Sequence, residues 1–436
     1  MTSISKAEQG MPTTIIQTRD EPPSTSKEGS GSFFRRTLFQ ILIVGLCAFC
    51  APGIWSAMNG LGVGGSQSPD LVNAANALLY AFMTITCLAG PWVTNAIGFR
   101  YTLALGSIGY PLYAAGLYLN NRTGATWLVY FGAVTCGISA GFFWSVEGAI
   151  ATGYPEQHKR GRYIATWFTF RNFGNVIGGA VALGINHSVD HRGQVGYQTY
   201  LAFIAIQCLG LFIGLFLSNP EQVQRDDGTK IEAPRGMHWR DEADAMWRLA
   251  RSKSILLLVP LFWYFGWVQA YPGTYLATYF TVRSRALGSF MSAVVGTLAT
   301  WLGGSLVDLP WLRSRKARAV LVYCLIALLN SGTWIWAVII QDQYRHTNPV
   351  LDWSDQRTFG QGFGLYLLRG SVRIRYSSLL RGIETAGVAV GFGVQAVPTA
   401  LIATASINLG LWFFALPFSY YATLQVVNKF ESWARV

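Results

Sequence analysis

The chain has 436 residues, of which 51% are hydrophobic and only 12% are charged, and its formal net charge is +12. A soluble domain carries roughly 25% charged residues, so this chain has too little charge to cover a soluble surface. Its basic residues lie in short loops between apolar runs, where they set orientation in a bilayer rather than bind nucleic acid. The composition therefore excludes a soluble or nucleic-acid-binding domain and predicts an all-α, polytopic membrane protein.

Apolar stretches of about 20 residues, the length that a membrane helix needs, recur along the chain. Residues 1–36 precede them and have no apolar core like that of a secretory signal, so they are predicted to be a disordered cytosolic tail. The predicted spans are Leu38–Met58, Leu71–Val93, Tyr101–Leu119, Thr126–Ile150, Tyr163–Ile185, Tyr200–Leu217, Ser254–Tyr271, Ser289–Val307 and Ala319–Ile340. A last charge-free block, Thr385–Asn428, is long enough for two helices with a turn at Pro398, and residues 429–436 form a second cytosolic tail.

The orientation follows from lysine and arginine, which are enriched in cytosolic loops. With the amino terminus in the cytosol, the inner loops hold Arg100, then Lys159, Arg160 and Arg162, then Arg313, Arg315, Lys316 and Arg318. The outer loops hold only scattered arginines: Arg122, Arg192, Arg283, Arg285 and Arg345. The two glycosylation sequons, at Asn121 and Asn186, both fall on the outer side, which agrees with this topology.

A polar segment, 218–253, separates six spans from the rest and is predicted to be cytosolic. Its end, 238–253, places apolar residues at helical spacing with charges on the opposite face: Trp239, Ala243, Met246, Trp247 and Ala250. This pattern favours a helix lying in the inner membrane interface, and a plain solvated linker helix is the alternative.

Two loops repeat a similar pattern in the two halves of the chain. Asn95, Gly98 and Arg100 follow the second span, and Gly304, Asp308 and Arg313 follow the eighth. This resembles the major facilitator superfamily, in which such loops carry an acid that caps a helix and pairs with an arginine, latching one face. Asn95 stands where the acid would be, so the first latch would lack its charge. Ordinary basic inner loops are the alternative reading.

A more specific resemblance is carried by motifs spread over residues 38–425. They are Ala57–Gly65, Ser139–Ile150 with Trp144 and Glu147, Tyr154-Pro155, Gly161–Tyr163, Phe170–Gly174, Gly178-Gly179, Leu309–Leu312 and Gly382–Gly387. As a set they resemble the uncoordinated-93-like branch of the major facilitator superfamily, and its fungal members in particular. The resemblance implies a fold of two six-helix halves. It implies a substrate less clearly, since the family includes proteins thought to regulate channels or receptor traffic.

Glu147 and Arg171 are charges inside predicted spans, each about 10 Å from the inner end at 1.5 Å per residue. A charge at that depth costs several kcal/mol unless it is paired or lines a cavity. Their similar depth on consecutive helices predicts an ion pair. The pair either locks two helices or forms part of a proton or substrate pathway, in which Glu147 changes protonation and Arg171 modulates its pKa.

Further pathway candidates are Trp144, Asn59, Tyr264 and Gln269, although packing is the alternative for each. The six cysteines have neither disulfide nor zinc spacing. Gly60–Gly65 fits a dinucleotide-binding pattern but follows a membrane helix instead of a strand, so that reading is rejected. We therefore expect no enzyme activity, cofactor or metal.

The tenth span is the place where the sequence departs from the family. Only seven apolar residues, Gly362–Leu368, precede Arg369, Arg373 and Arg375, and seven residues of helix reach about 10 Å. The sequence thus predicts eleven clear spans and a truncated tenth. One hypothesis is a lost helix, by deletion or by an incorrect gene model. The alternative is a strained helix that takes arginines into the membrane.

These observations predict a secondary transporter of a small organic molecule, with metabolite export and proton coupling as hypotheses. The predicted partners are the bilayer and this substrate, in the plasma membrane or an endomembrane. The alternative is a non-transporting accessory or trafficking protein, which would have a protein partner.

The orientation can be tested by thiol labelling in a background without the six natural cysteines. In sealed microsomes, whose cytosolic face points outward, a cysteine at Asp227 should react directly with a membrane-impermeant reagent, and one at Arg122 should react only after permeabilisation, because the two positions are predicted to lie on opposite sides. The reverse pattern would invert the topology.

Overall fold

The computed structural model describes residues 33–66, 68–229, 231, 240, 244, 247–248, 250–308, 315–371, 381–397 and 400–433. The helices of the first half are α1 (Thr37–Ala48), α2 (Ile54–Gly60), α3 (Pro69–Ile97), α4 (Phe99–Thr123), α5 (Trp127–Gly153), α6 (Arg160–Asn186) and α7 (Tyr197–Gly214). Those of the second half are α8 (Lys253–Trp267), α9 (Ala270–Tyr279), α10 (Val282–Asp308), α11 (Arg315–Thr347), α12 (Gln356–Ser371), α13 (Arg381–Gln395) and α14 (Leu401–Trp433).

The predicted all-α membrane fold is confirmed. Within the described ranges, seven helices are long and apolar enough to cross a bilayer: Thr37–Gly60, Pro69–Ile97, Trp127–Gly153, Tyr197–Gly214, Ile255–Tyr279, Ala317–Thr347 and Leu401–Gln425. The first of these joins α1 to α2, and the fifth joins α8 to α9. We call these two composite helices span 1 and span 7. The break between α13 and α14 falls where a turn was predicted, although Pro398 itself lies outside the described residues.

Helices α1–α7 pack mainly on one another and form the N-half, and α8–α14 form the C-half. The halves meet mainly along two helix pairs, α3 with α13 and α6 with α10, and α2 also packs on α10. One end of the bundle, which we call the Arg285 face, holds the loops 61–68, 187–196 and 348–355. The opposite end holds the α3–α4 and α5–α6 connections and the start of the central segment, and we call it the strap face.

Helix packing in the N-half depends on glycine. A methyl group added at Gly106 of α4 would lie 2.8 Å from the Cα of Phe143 on α5, and one at Gly116 would lie 2.9 Å from the Cα of Val129. Small residues let membrane helices approach closely, which maximises van der Waals contact where the hydrophobic effect gives little drive. The α4–α5 pair is therefore fixed by the absence of side chains at these positions.

The core of the C-half is aromatic instead. Tyr271 and Tyr275 stack at 5.9 Å, and Trp334 meets the Tyr271 ring edge-on at 5.4 Å. The hydroxyl of Tyr264 accepts hydrogen bonds from the Trp334 indole at 2.6 Å and the Asn330 amide at 2.8 Å. These aromatic residues fill volume and satisfy each other's polar atoms, as buried tyrosine and tryptophan require.

The central segment begins as a strap across the N-half. The Ser218 N–H donates to the Gln40 side chain at 2.7 Å, and the Arg225 guanidinium donates to the carbonyls of Gly153 and Tyr154 at 2.7 and 3.0 Å. We call residues 218–229 the strap. Because its partners lie on α1 and α5, the strap ties the ends of helices that are distant in sequence.

The predicted interfacial helix 238–253 is only partly described. Its described members Arg240, Asp244, Trp247, Arg248 and Ala250 are helical and exposed. Trp247 is 59% exposed, and Arg251 lies 4.7 Å from its ring centre. An exposed tryptophan beside an arginine is typical of the membrane interface, so placement in the interface stays a prediction.

The tenth span is longer than the sequence reading allowed. Helix α12 has 16 residues, about 24 Å of helix, because it begins upstream in the polar stretch at Gln356. Its polar end is stabilised by aromatic packing: the Phe359 and Phe363 rings stack at 4.6 Å, and Phe359 contacts Phe280 at 6.1 Å. The helical extent was therefore underestimated, although 16 described residues are still fewer than the roughly 20 that a full membrane span needs. Arg373 and Arg375 lie outside the described residues.

Substitution of Gly106 by alanine should destabilise the protein by about 1–3 kcal/mol, because the new methyl group overlaps the Phe143 backbone. Gly184→Ala on α6 is the matched control, since no atom lies within 4 Å of its added methyl group. Thermal unfolding in detergent would measure both, and equal melting temperatures for the two variants would contradict the packing argument.

Candidate functional site

Span 1 and span 7 are both interrupted near their middles. Span 1 contains a π-helical turn, Phe49–Gly53, with Pro52 inside it. Span 7 is broken at Val268 and Gln269, between α8 and α9. In each case a proline removes the N–H that would bond the carbonyl four residues earlier: Pro52 for the first and Pro272 for the second. The first and seventh spans are equivalent members of the two halves, so the breaks occupy corresponding places.

Arg171 lies beside the span 1 interruption, and Glu147 lies on the preceding helix, α5. Glu147 is fully buried and Arg171 is 5% exposed. Arg171 packs directly on the π-turn, since a methyl group added at Gly53 would lie 2.8 Å from the Arg171 carbonyl oxygen. Both charged side chains are therefore buried, as the sequence predicted.

Two tryptophans contact these charges, and the Phe168 ring also lies 5.7 Å from the Arg171 guanidinium. The Trp167 indole N–H on α6 donates to the Glu147 carboxylate on α5. The Arg171 guanidinium lies 4.4 Å from the ring centre of Trp144, a cation–π distance. Each helix thus contributes one charge and one tryptophan, and the two contacts lie about one helical turn apart. The direct Glu147–Arg171 ion pair stays a prediction.

Asn59 is held in a polar network that joins spans 1, 2 and 3. Its amide donates to the Trp55 carbonyl at 3.1 Å, and its oxygen accepts from the Asn76 amide at 3.3 Å. The Tyr113 hydroxyl completes the network by donating to Asn76 at 2.9 Å. Asn59 therefore has a fixed orientation, which suits either a structural or a binding role.

The two candidates on span 7 divide into different roles. Gln269 is partly exposed at the interruption, and its amide donates to the Glu384 carboxylate on α13 at 3.2 Å. Tyr264 is 1% exposed, and its hydroxyl accepts both donors described for the aromatic core. Tyr264 is therefore part of the C-half core, which agrees with the packing alternative.

The first predicted gating loop is described and the second is not. Asn95 and Arg100 are exposed at the strap face, on either side of Gly98. Gly98 has φ +86° and ψ 162°, a conformation open only to glycine, and this lets α3 end and α4 begin within one residue. Gly304 and Asp308 belong to the last turns of α10, and Arg313 lies outside the described residues.

One predicted glycosylation site is wrong. Asn186 is fully buried, and its amide nitrogen donates at 2.8 Å to both the Ala182 carbonyl and the Thr199 hydroxyl. A glycan on that nitrogen has no room in this fold. Asn121 is half-buried and donates to the Val195 carbonyl at 3.0 Å, so its modification stays a prediction.

Sequence reasoning missed an aromatic contact path between the halves. Trp55 of span 1 meets the edge of Tyr80 at 6.0 Å, and Tyr80 stacks on Phe392 of α13 at 5.9 Å. The three residues are far apart along the chain and each looks like an ordinary core aromatic. No signal in the sequence could have joined them.

Comparison with known proteins identifies the family of this chain. The sequence profile described as "Ion channel regulatory protein UNC-93" matches residues 73–341. The chain belongs to the UNC-93 family. It is 38% identical over 408 residues to the "Notoamide biosynthesis cluster protein O'" of Aspergillus versicolor, with 88% of this chain and 87% of that protein covered. It is 29% identical over 438 residues to "UNC93-like protein 1" of Arabidopsis thaliana, with 91% and 94% covered. The resemblance seen in the motifs is thus confirmed.

Solved structures confirm the facilitator-like architecture. A POT family transporter in complex with 5-aminolevulinic acid aligns with a TM-score of 0.55 at 13% identity, covering 88% of this UNC-93 chain and 95% of its own. The tetrameric transporter PepTSo2 aligns with a TM-score of 0.51 at 12% identity, covering 91% and 98%. At such identities the likeness concerns the fold alone.

The buried charges can be tested by single and double substitution. If Glu147 and Arg171 pair, Glu147→Gln should destabilise the protein by roughly 3–5 kcal/mol, because it leaves a buried cation without its carboxylate. The double variant Glu147→Gln, Arg171→Met should recover folded protein. The monodisperse fraction after detergent extraction measures both.

Trp167→Phe separates the indole hydrogen bond from the charge pair. It removes the N–H donor to Glu147 while keeping an aromatic ring, and it should lower the melting temperature. Trp127→Phe is the control, since Trp127 is 64% exposed at the start of α5. Wild-type behaviour of both Glu147→Gln and Trp167→Phe would show that the cluster has no structural role.

Proposed function

We propose that this UNC-93 protein is a secondary transporter that moves a small organic molecule by alternating access. The observation that carries the proposal is the pair of interruptions in spans 1 and 7. Broken helices at corresponding places in two repeats mark the substrate site of many transporters, because the freed backbone groups line a cavity near the midplane.

The residues around these interruptions offer suitable binding chemistry. Trp55 lies just beyond the π-turn, and its buried indole N–H has no hydrogen-bond partner among the described residues. Across the bundle, Gln269 and Glu384 supply an amide and a carboxylate beside the span 7 break. An aromatic side chain with one free donor, together with an amide and a carboxylate on the other half, suits an organic molecule better than a bare ion.

Two relatives support the same class of substrate. One protein of similar sequence is a member of a notoamide biosynthesis cluster, and one protein of similar fold is a transporter seen with 5-aminolevulinic acid. We propose export of a metabolite, with Glu147 as the group that takes up and releases a proton. Carboxylates buried inside membrane spans form proton relays in many transporters, and Glu147 is fully buried in α5.

Regulation of a channel is the second candidate, because the family profile carries that description. A regulator needs a partner surface and no transport cycle. Metabolite profiling of cells with and without the gene discriminates the two. Transport predicts that at least one metabolite accumulates inside the deletion cells, whereas regulation predicts a changed ion conductance with an unchanged metabolite profile.

Closing the helix interruptions should impair transport without unfolding the protein. Pro52→Ala and Pro272→Ala each restore an N–H, so the helices can become continuous. Release of the accumulating metabolite from complemented deletion cells should fall at least several-fold for both. Pro111→Ala in α4 and Pro260→Ala in α8 are controls, because both helices continue through their prolines. Equal activity of all four variants would remove the interruptions from the proposed mechanism.

A further inference from the structure

Arg285, in the first turn of α10, is a buried arginine of the C-half whose named partners all belong to the N-half. It is 1% exposed. Its Nε donates to the Leu61 carbonyl at 2.6 Å and its Nη1 to the Gly193 carbonyl at 2.7 Å. Its Nη2 donates to the carbonyls of Gly62 at 2.7 Å and Ser66 at 3.3 Å. One side chain thus joins two loops of one half to a helix of the other.

The loop that receives Arg285 is held in a strained conformation. Four consecutive residues, Gly62, Val63, Gly64 and Gly65, have φ of +77°, +47°, +61° and +79°. Three are glycines, which adopt such angles readily, but Val63 is β-branched and is strained there. This run turns nearby carbonyls toward the guanidinium. It is the same glycine-rich motif that superficially fits a dinucleotide-binding pattern, and the structure shows a different use for it.

Other hydrogen bonds between the halves flank Arg285. The Ser289 hydroxyl, one turn deeper on α10, donates to the Ala57 carbonyl at 2.8 Å. The Val282 N–H donates to the His191 carbonyl at 2.9 Å, and the Arg192 guanidinium reaches the Pro349 carbonyl. Arg285 makes the largest set of these bonds, at the centre of the seam.

We propose that Arg285 is the positioning residue that keeps the two halves closed at the Arg285 face. The proposal rests on the alternating-access function above and names the side chain that must release for this face to open. Its acceptors are neutral carbonyls, so opening transfers the guanidinium and the carbonyls to water without separating opposite charges. Relaxation of the strained Val63 backbone offsets part of the lost hydrogen bonding. The closed state is therefore held firmly and can still be released.

The test measures the distance between the halves directly and needs no substrate. Spin labels are attached at cysteines replacing Asp190 in the N-half and Gln343 in the C-half, both exposed at this face, in a full-length chain lacking the six natural cysteines. Pulsed electron resonance in lipid nanodiscs gives the distance distribution. Arg285→Gln should raise the population of the longer, open distances by at least about tenfold, the effect expected for loss of one charged hydrogen bond.

Ser289→Ala should shift the distribution in the same direction by a smaller factor, since it removes one neutral hydrogen bond. Arg122→Gln is the control: Arg122 lies at the same face but packs on Tyr197 of its own half, so the distribution should not change. An Arg285→Gln distribution identical to wild type, or an equal shift in Arg122→Gln, overturns the proposal. If Arg285→Gln gives no folded protein, an unchanged distribution in Ser289→Ala overturns it alone. A shift in a protein that transports no metabolite would support the closure role and reject the transport function separately.

Discussion

The constraint on which the structure depends is that backbone polar groups inside a bilayer need partners within the protein, and that buried charges need groups that replace water. It explains why the described spanning elements are helices, and why the two helix interruptions sit where neighbouring helices surround them. It also explains which groups surround the buried charges. Glu147 has an indole donor, Arg171 has an aromatic face, and Arg285 has four carbonyls. In each case the charge is buried together with groups that replace its hydration.

The two halves meet this constraint in different ways. The N-half brings backbones together at glycines such as Gly106 and Gly116, so its packing depends on shape. The C-half fills its interior with tyrosine and tryptophan, and the tyrosine hydroxyls accept hydrogen bonds from the Trp334 indole and the Gln341 amide. Tight packing inside each half leaves little room for internal rearrangement. Each half can therefore move as one rigid body. Relative motion would then concentrate at the α3–α13 and α6–α10 pairs and in the loops of the Arg285 face.

Sequence reasoning located what depends on local composition. The spans follow from apolar length, and the burial of Glu147 and Arg171 follows from their position inside spans. It did not locate what depends on distant partners. The charge rule placed Arg285 among outer-loop arginines because it counts residues without regard to burial, whereas four carbonyls from two separate loops enclose it. Helix α12 was underestimated for a related reason: its polar start is held by Phe280, which no local pattern connects to it.

The strap changes what connects the halves. Residues 218–229 are bonded to the N-half through Gln40, Gly153 and Tyr154, so the covalent link to α8 starts at the end of the strap instead of at α7. A cut in the chain after the strap would leave the strap on the N-half and would leave the hydrogen bonds at the Arg285 face untouched. The protein therefore resembles a heterodimer whose two subunits are joined in one polypeptide. The two halves could be encoded separately and still assemble through their own contacts.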